Sequence, residues 1–242
     1  MKTKYLNHIN NYVNENISKF HQSKIESLKK LKLKQILVRK NPYLFKAKNI
    51  MTAQDLVKTL LDAYLSSQEE TLFGDFLEGL AIYICSLVYN GRKSSAEGID
   101  LEFEKDNIRY VVSIKSGPNW GNSRQIQKMK EDFKKTVRIL KTNNPDIRVN
   151  SINGCCYGRD RSHDKGEYYK YCGQAFWEFI SGSDKLYVEI IDPLGHEAKK
   201  KNDEFFEAYS KIINNFTAEF LTDFCLKGEI NWEFLVKFNS SK

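Results

Sequence analysis

"EGIDLEFEKDNIRYVVSIKSG", residues 97–117, is where the chain changes its period. Over 98–104 apolar and polar residues alternate, with Ile99, Leu101 and Phe103 on one face and Asp100 and Glu102 on the other. "KDN" at 105–107 has the composition of a tight turn. Residues 108–115 then return, Val112 and Ile114 inward and Val111, Ser113 and Lys115 outward. Two such runs across a short turn predict a β-hairpin. Its outward face sets the Asp100 carboxylate against the Lys115 ammonium. Opposed positions on an antiparallel pair lie about 4.5–5.5 Å apart and diagonal ones about 7–8 Å, so the acid and the base share one place. By itself such a pair is a solvated cross-strand ion pair contributing under about 1 kcal/mol.

The flanking segments have helical period. Residues 5–37 read as helix, broken at Asn41-Pro42 because a residue before proline is driven out of the helical region. Thr52 is the expected cap of a helix over 53–65. A second helix follows in "SSQEETLFGDFLEGLAIYICSLVYNG", opened by a Ser67/Glu70 capping box and stopped at Gly91. After "SGPNWGN" a helix is predicted from Ser123 to Leu140, then a strand over 147–158. Beyond residue 168 the pattern is mainly helical: "QAFWEFI", 184–192, and a long run over 197–226. This order predicts an α/β core with helical additions.

Composition narrows the function. The chain is 41% hydrophobic, enough for a real core. No run approaches the roughly 20 apolar residues that span a bilayer, and the N-terminus lacks the apolar heart of a signal peptide. The expectation is a cytoplasmic protein without a membrane partner. Five cysteines without a CxxC pair read as buried free thiols, and a zinc site is poorly supported. Residues 1–48 hold eleven lysines and one arginine against Glu15 and Glu26. This arm carries +10 of the net +7 and leaves −3 on the rest. A polyanion would attract it, as would an anionic membrane surface.

An acid and a base on neighbouring strands suit phosphodiester hydrolysis. That reaction needs a divalent cation held by hard oxygen ligands, an activated water, and neutralisation of charge on the transition state. Glu78, on the helix before the hairpin, is the best placed third group, and equally a residue on that helix's polar face. The arrangement resembles the PD-(D/E)xK nuclease superfamily and, within it, type II restriction endonucleases, nearest to the PmeII family. The matching stretches are "NPYLFKAKN" (41–49), "SSQEETLFGDFLEGLA" (66–81), "EGIDLEF" (97–103), "VVSIKSGPNWGNS" (111–123) and "GCCYG" (154–158).

The resemblance implies that Asp100 binds metal, Lys115 is the motif lysine and Glu78 is the acidic residue of the first core helix. It departs from the pattern at Ser113, where the family has an acid two residues before the lysine. A serine hydroxyl is a poor Mg²⁺ ligand. Glu131, Glu102 and Glu97 are the candidate replacement acids, and sequence does not choose among them.

Two loops carry groups suited to DNA. In "SGPNWGNS" these are Asn119, Trp120, Asn122 and Ser123, with Gln125 just beyond; the same stretch is also a tight loop with a helix cap. In "YGRDRSHDKGEYYKY" they are Arg159, Arg161 and Lys165, in what is equally an exposed polar loop. His163 has no spaced partner and is expected at the surface.

The whole predicts a mixed sheet flanked by helices, a PD-(D/E)xK-like core with large helical additions. Residues 1–50 would form a basic helical arm for DNA grip or dimerisation, and 51–242 the nuclease domain. The implied activity is that of a type II restriction endonuclease: Mg²⁺-dependent (Mn²⁺ as substitute), cutting double-stranded DNA to 5′-phosphate ends. It would act as a homodimer, with a cognate DNA methyltransferase encoded nearby. A repair or junction-resolving nuclease, or a DNA-binding protein with a decayed site, are the alternatives.

Overall fold

The computed structural model describes residues 5–195 and 198–242. The chain opens with α1 (Leu6–Lys29), α2 (Leu33–Leu37) and α3 (Pro42–Ala47). The break at Asn41-Pro42 is also a start. Asn41 caps α3, its Oδ1 accepting from the N–H groups of Tyr43 (3.0 Å) and Leu44 (3.3 Å), with Pro42 at the first helical position. Thr52 caps α4 (Ala53–Tyr89), its Oγ1 accepting from Asp55 N–H at 3.1 Å.

α4 runs for 37 residues without the interruption expected near Ser67. The Ser67 hydroxyl donates back to the Ala63 carbonyl (3.2 Å) instead of capping a new helix. As one helix, α4 is long and apolar enough, by length and composition alone, to cross a membrane. Several of its apolar residues are core residues: Leu56, Val57, Leu60 and Leu61 early on, and Leu80, Ala81 and Ile84 later, are all essentially buried.

The hairpin follows, with β1 (Arg92–Lys93), β2 (Leu101–Lys105) and β3 (Ile108–Lys115). Asp106 and Asn107 both have positive φ (53° and 59°), as a two-residue turn matched to strand twist requires. Next come α5 (Ser123–Asn143), β4 (Arg148–Cys155), β5 (Tyr169–Cys172), α6 (Gln174–Ser181), α7 (Leu186–Glu189) and α8 (Ile191–Leu194). The chain ends in α9 (Ala198–Phe224), the short hairpin β6 (Cys225–Leu226) and β7 (Glu229–Ile230), and α10 (Trp232–Ser240), which Asn231 caps.

Two compact units result: one from the described residues of Met1–Ile17 and Gly74–His196, the other from those of Ser18–Phe73 and Glu197–Lys242. The boundary sketched near residue 50 falls inside the second, a helical unit packed around Leu56, Leu60, Phe220 and Leu235.

The first unit holds a five-stranded mixed sheet in the order β1-β2-β3-β4-β5, the first two pairings antiparallel and the last two parallel. Both faces are covered, as β3-helix-β4 connectivity demands. This corrects the outward assignment of Val111 and Ser113. Val111 is buried with Met129 and Phe133 of α5, and Ser113 is only 1% exposed. Ile99 also leaves the alternation. It precedes β2 and joins the α5 cluster rather than Leu101 and Phe103. On the opposite face Phe103 meets Tyr89 and Phe179, and Phe176 lies directly over Gly154.

All five cysteines are free, four of them buried.

A Cβ at Gly154 would lie 2.2 Å from the fully buried Phe176 ring. Gly154→Ala should therefore destabilise the fold by about 1–3 kcal/mol through overpacking. Urea unfolding measures it, and an unchanged midpoint would contradict this packing.

Candidate active site

Asp100 sits one residue ahead of β2 and is held to β3 twice. Its N–H donates to the Val112 carbonyl (2.9 Å), and its Oδ2 accepts the Ile114 N–H (2.6 Å). The carboxylate thus continues the strand ladder where the regular pairing ends. Lys115, the last residue of β3, brings its Nζ to 3.8 Å from the same Oδ2. On its other side Nζ stands 5.3 Å from the centroid of the Trp120 ring.

Glu78 comes from α4, which passes close to the end of β3: a Cβ on Gly74, one turn earlier, would be 2.7 Å from Ser116 Oγ. Burial, and then the Asp100 charge, raise the Glu78 carboxyl above the usual glutamate range, while Lys93 and Lys115 act in the opposite sense. The Glu78 carboxylate therefore feels both Asp100 and Lys115. Their side chains keep 22% (Asp100), 31% (Lys115) and 27% (Glu78) of their exposure, so the cluster is half-buried but reachable.

Two carboxylates whose charges act on each other suit a hard cation. Mg²⁺ is bound through one or two carboxylates and keeps several waters. Among the described residues no group of three or more His, Cys, Asp and Glu gathers for a metal. Burial, then the Glu78 charge, push the Cys156 thiol up to about 12. The carboxylate oxygens of Asp100 and Glu78 fit a hard divalent cation, and these two residues would hold it.

The three replacement acids make their contacts elsewhere. Glu97 bonds Lys128 (3.3 Å) and Lys135 (3.2 Å). Glu102 takes the Ser94 hydroxyl and lies 3.9 Å from Arg109. Glu131 is exposed and bonds Gln127 at 3.0 Å.

Sequence reasoning passed over two residues here. Lys93 on β1 reaches Glu78 Oε1 at 3.5 Å. Asp75, exposed and one helical turn before Glu78, lines the same cleft of about 480 Å³ with Lys93, Tyr12 and Tyr83. The i, i+3 spacing of Asp75 and Glu78 was a readable signal; the two-residue strand β1 left none. A larger cavity, about 790 Å³ between α5 and β4, includes neither Asp100, Lys115 nor Glu78.

Residues 7–202 match the family model of the type II restriction endonuclease EcoO109I. The chain belongs to that family. The match spans the whole hairpin, Glu78 and both polar loops, and it makes the protein a sequence-specific DNA nuclease. No curated protein matches the chain.

Within this restriction endonuclease the two polar loops lock together. Gly117 lies against the Tyr157 ring and Gly158 against Pro118. Lys170 donates to the Pro118 carbonyl (2.9 Å), and Asp160 ties down Lys165 (3.0 Å) and Lys170 (3.6 Å). Lys165 is thus held in an internal ion pair. Asn122 and Gln125 form a reciprocal capping box at the start of α5, where Ser123 is exposed. Trp120 is half-buried, its Nε1–H donating to Asn153 Oδ1 at 3.1 Å. Asn119, Arg159 and Arg161 remain exposed, as does His163.

A carboxyl that binds protons more tightly in the folded chain stabilises the fold when protonated and loses that contribution as pH rises through its raised value. Glu78→Gln, always neutral, should therefore melt above the parent in metal-free buffer at about pH 8, the gap closing toward about pH 4. Added Mg²⁺ should stabilise the parent, by about 2.7 kcal/mol at a hundredfold excess over Kd, and the variant far less. Scanning calorimetry reads both, and an equal Mg²⁺ response in the two proteins would remove Glu78 from the metal site.

Proposed function

We propose that the protein is a Mg²⁺-dependent type II restriction endonuclease with a PD-(D/E)xK core, hydrolysing double-stranded DNA to 5′-phosphate and 3′-hydroxyl ends. The observation that carries this reading is the Asp100–Lys115 pair at the end of one hairpin, with the Glu78 carboxyl on α4 close enough to feel both charges. Asp100 and Glu78 would hold the cation, which when bound supplies a polarised water and charge neutralisation. Asp100 is oriented by the Ile114 amide, so its carboxylate needs no reorganisation on binding. The Lys115 ammonium would stand beside the phosphate and offset charge as water gives up a proton and attacks in line, the 3′-oxygen leaving to take up a proton from solvent.

Two copies, one per strand, suit a two-fold symmetric target. The strings quoted above support a relationship to PmeII-type enzymes, with a methyltransferase protecting host DNA in the same cytoplasm. In the basic N-terminal arm Lys24 and Lys34 are paired with Glu69 (2.5 Å) and Asp223 (2.8 Å), while Lys29, Lys30, Lys32 and Lys48 face solvent and are suited to the DNA backbone. Arg159, Arg161 and Asn119 are the groups free to read bases or phosphates.

Ser113 favours one rival, a DNA-binding protein whose site has decayed. Plasmid incubated with protein and Mg²⁺ or Mn²⁺ separates the readings: discrete fragments support restriction, a shift without cleavage supports the rival, and nicking confined to branched DNA supports a junction resolvase. Lys115→Ala should cut on the order of a hundredfold or more slower while keeping its DNA affinity. Arg159→Ala and Arg161→Ala should each weaken binding and, for a phosphate contact, lower the salt slope by about 1. A Lys115→Ala enzyme of full activity would falsify the catalytic assignment.

A further inference from the structure

Trp120 was expected to pack on sugar or base, and its surroundings assign it another task. The indole is half-buried beside Ile99, Val111, Met129 and Phe133. Its N–H is satisfied from within the protein by Asn153 Oδ1 (3.1 Å). Asn153 is 1% exposed and is the register partner of Ser113 on the adjoining parallel strand. Its own amide donates to the Ser113 carbonyl (3.2 Å), and the Cys155 Sγ lies 3.9 Å from its Oδ1. A ring anchored in this way cannot slide between bases without breaking a buried hydrogen bond. What the ring offers is its face, and Lys115 Nζ stands over it at 5.3 Å.

We infer that Trp120 is a positioning residue for Lys115, fixed by Asn153 and Ser113, and not a DNA contact. This deepens the nuclease reading and rests on it. Lysine carries its charge on a flexible four-carbon stem. Here the stem is confined between two partners on separate elements: the Asp100 carboxylate at 3.8 Å and the indole face. Attraction of an ammonium to a ring face is electrostatic and holds it near the ring axis. The neutral Ser113 belongs to the same arrangement. The strand position at which an acid was expected pairs in register with the asparagine that anchors the ring, and a carboxylate there would place a charge beside that buried amide.

The test uses the full chain with Trp120→Leu and Trp120→Phe. Single-turnover cleavage by Trp120→Leu should fall on the order of tenfold or more, because a small displacement of a reacting group is costly. Its DNA Kd, measured without added Mg²⁺, should stay within about threefold of the parent. Acylation of Lys115 by an amine-reactive reagent, followed by mass spectrometry, should speed up about threefold or more as the ammonium is released. Trp120→Phe keeps most of the ring but loses the anchor, and should fall between. If Trp120→Leu fails to fold, Trp120→Phe carries the test with the same signs. A Kd raised tenfold or more with unchanged labelling, or no change in any measurement, overturns the inference. The labelling comparison also stands apart from catalysis: a parent that cuts no DNA defeats the nuclease reading, while faster labelling in the variants would still establish the positioning role.

Discussion

The hydrogen bond from the Ile114 amide to the Asp100 carboxylate is the constraint on which the site depends. β2 begins only at Leu101, so Asp100 lies past the last regular pair and a side chain replaces the missing ladder bond. The bond fixes the carboxylate against β3 and fixes which end of β3 faces it. Because strand side chains alternate, a one-residue slip would carry Lys115 to the opposite face and dissolve the pair. Burial of Val111 on one face and Val112 on the other makes such a slip costly. Site geometry is thereby tied to core packing.

What the sequence disclosed follows from how local each signal is. The β2–β3 hairpin was legible because alternation and turn chemistry lie within twenty residues, and Asp100 and Lys115 came with it. The helix cap at Thr52 was legible for the same reason, as was a cap before α5, at Asn122 or Ser123. The second covered face was not, because a strand with a polar appearance, "VVSIK", is also what a buried strand looks like when its one serine is buried. α4 was divided in two because "SSQEE" resembles a cap, whereas side chains bonding back to the preceding turn let the helix continue. β5, four residues among tyrosines, has no periodicity to read. The anchoring of Trp120 by Asn153 joins positions 33 residues apart on elements brought together only by parallel pairing.

The same distinction separates the groups that serve structure from those left over. Asn122, Gln125, Lys165 and Trp120 all have the chemistry of DNA contacts, yet each has a partner inside the protein. Composition cannot make that distinction, because an amide in a capping box and an amide free to meet a base edge are the same residue. Asn119, Arg159 and Arg161 are exposed. They stand on loops pinned to each other through Tyr157, Pro118, Asp160 and Lys170. On the proposed reading this rigidity matters energetically. Loops already held together lose little conformational freedom when DNA arrives, so contact energy is not consumed in ordering them.

On the proposed reading, charge would keep such a site inert until a cation is bound. Glu78 and Asp100 repel each other and would repel a phosphate; Lys93 and Lys115 offset them, one ammonium near each carboxylate. A divalent cation held by these acids would relieve their repulsion and leave both lysines less bound to them. The ammonium groups would then face the phosphate, Lys115 held by the Trp120 ring. Metal and DNA should on this account bind with positive coupling, each removing the charge that opposes the other. The coupling needs no moving domain, because the competing ion pairs supply the two states.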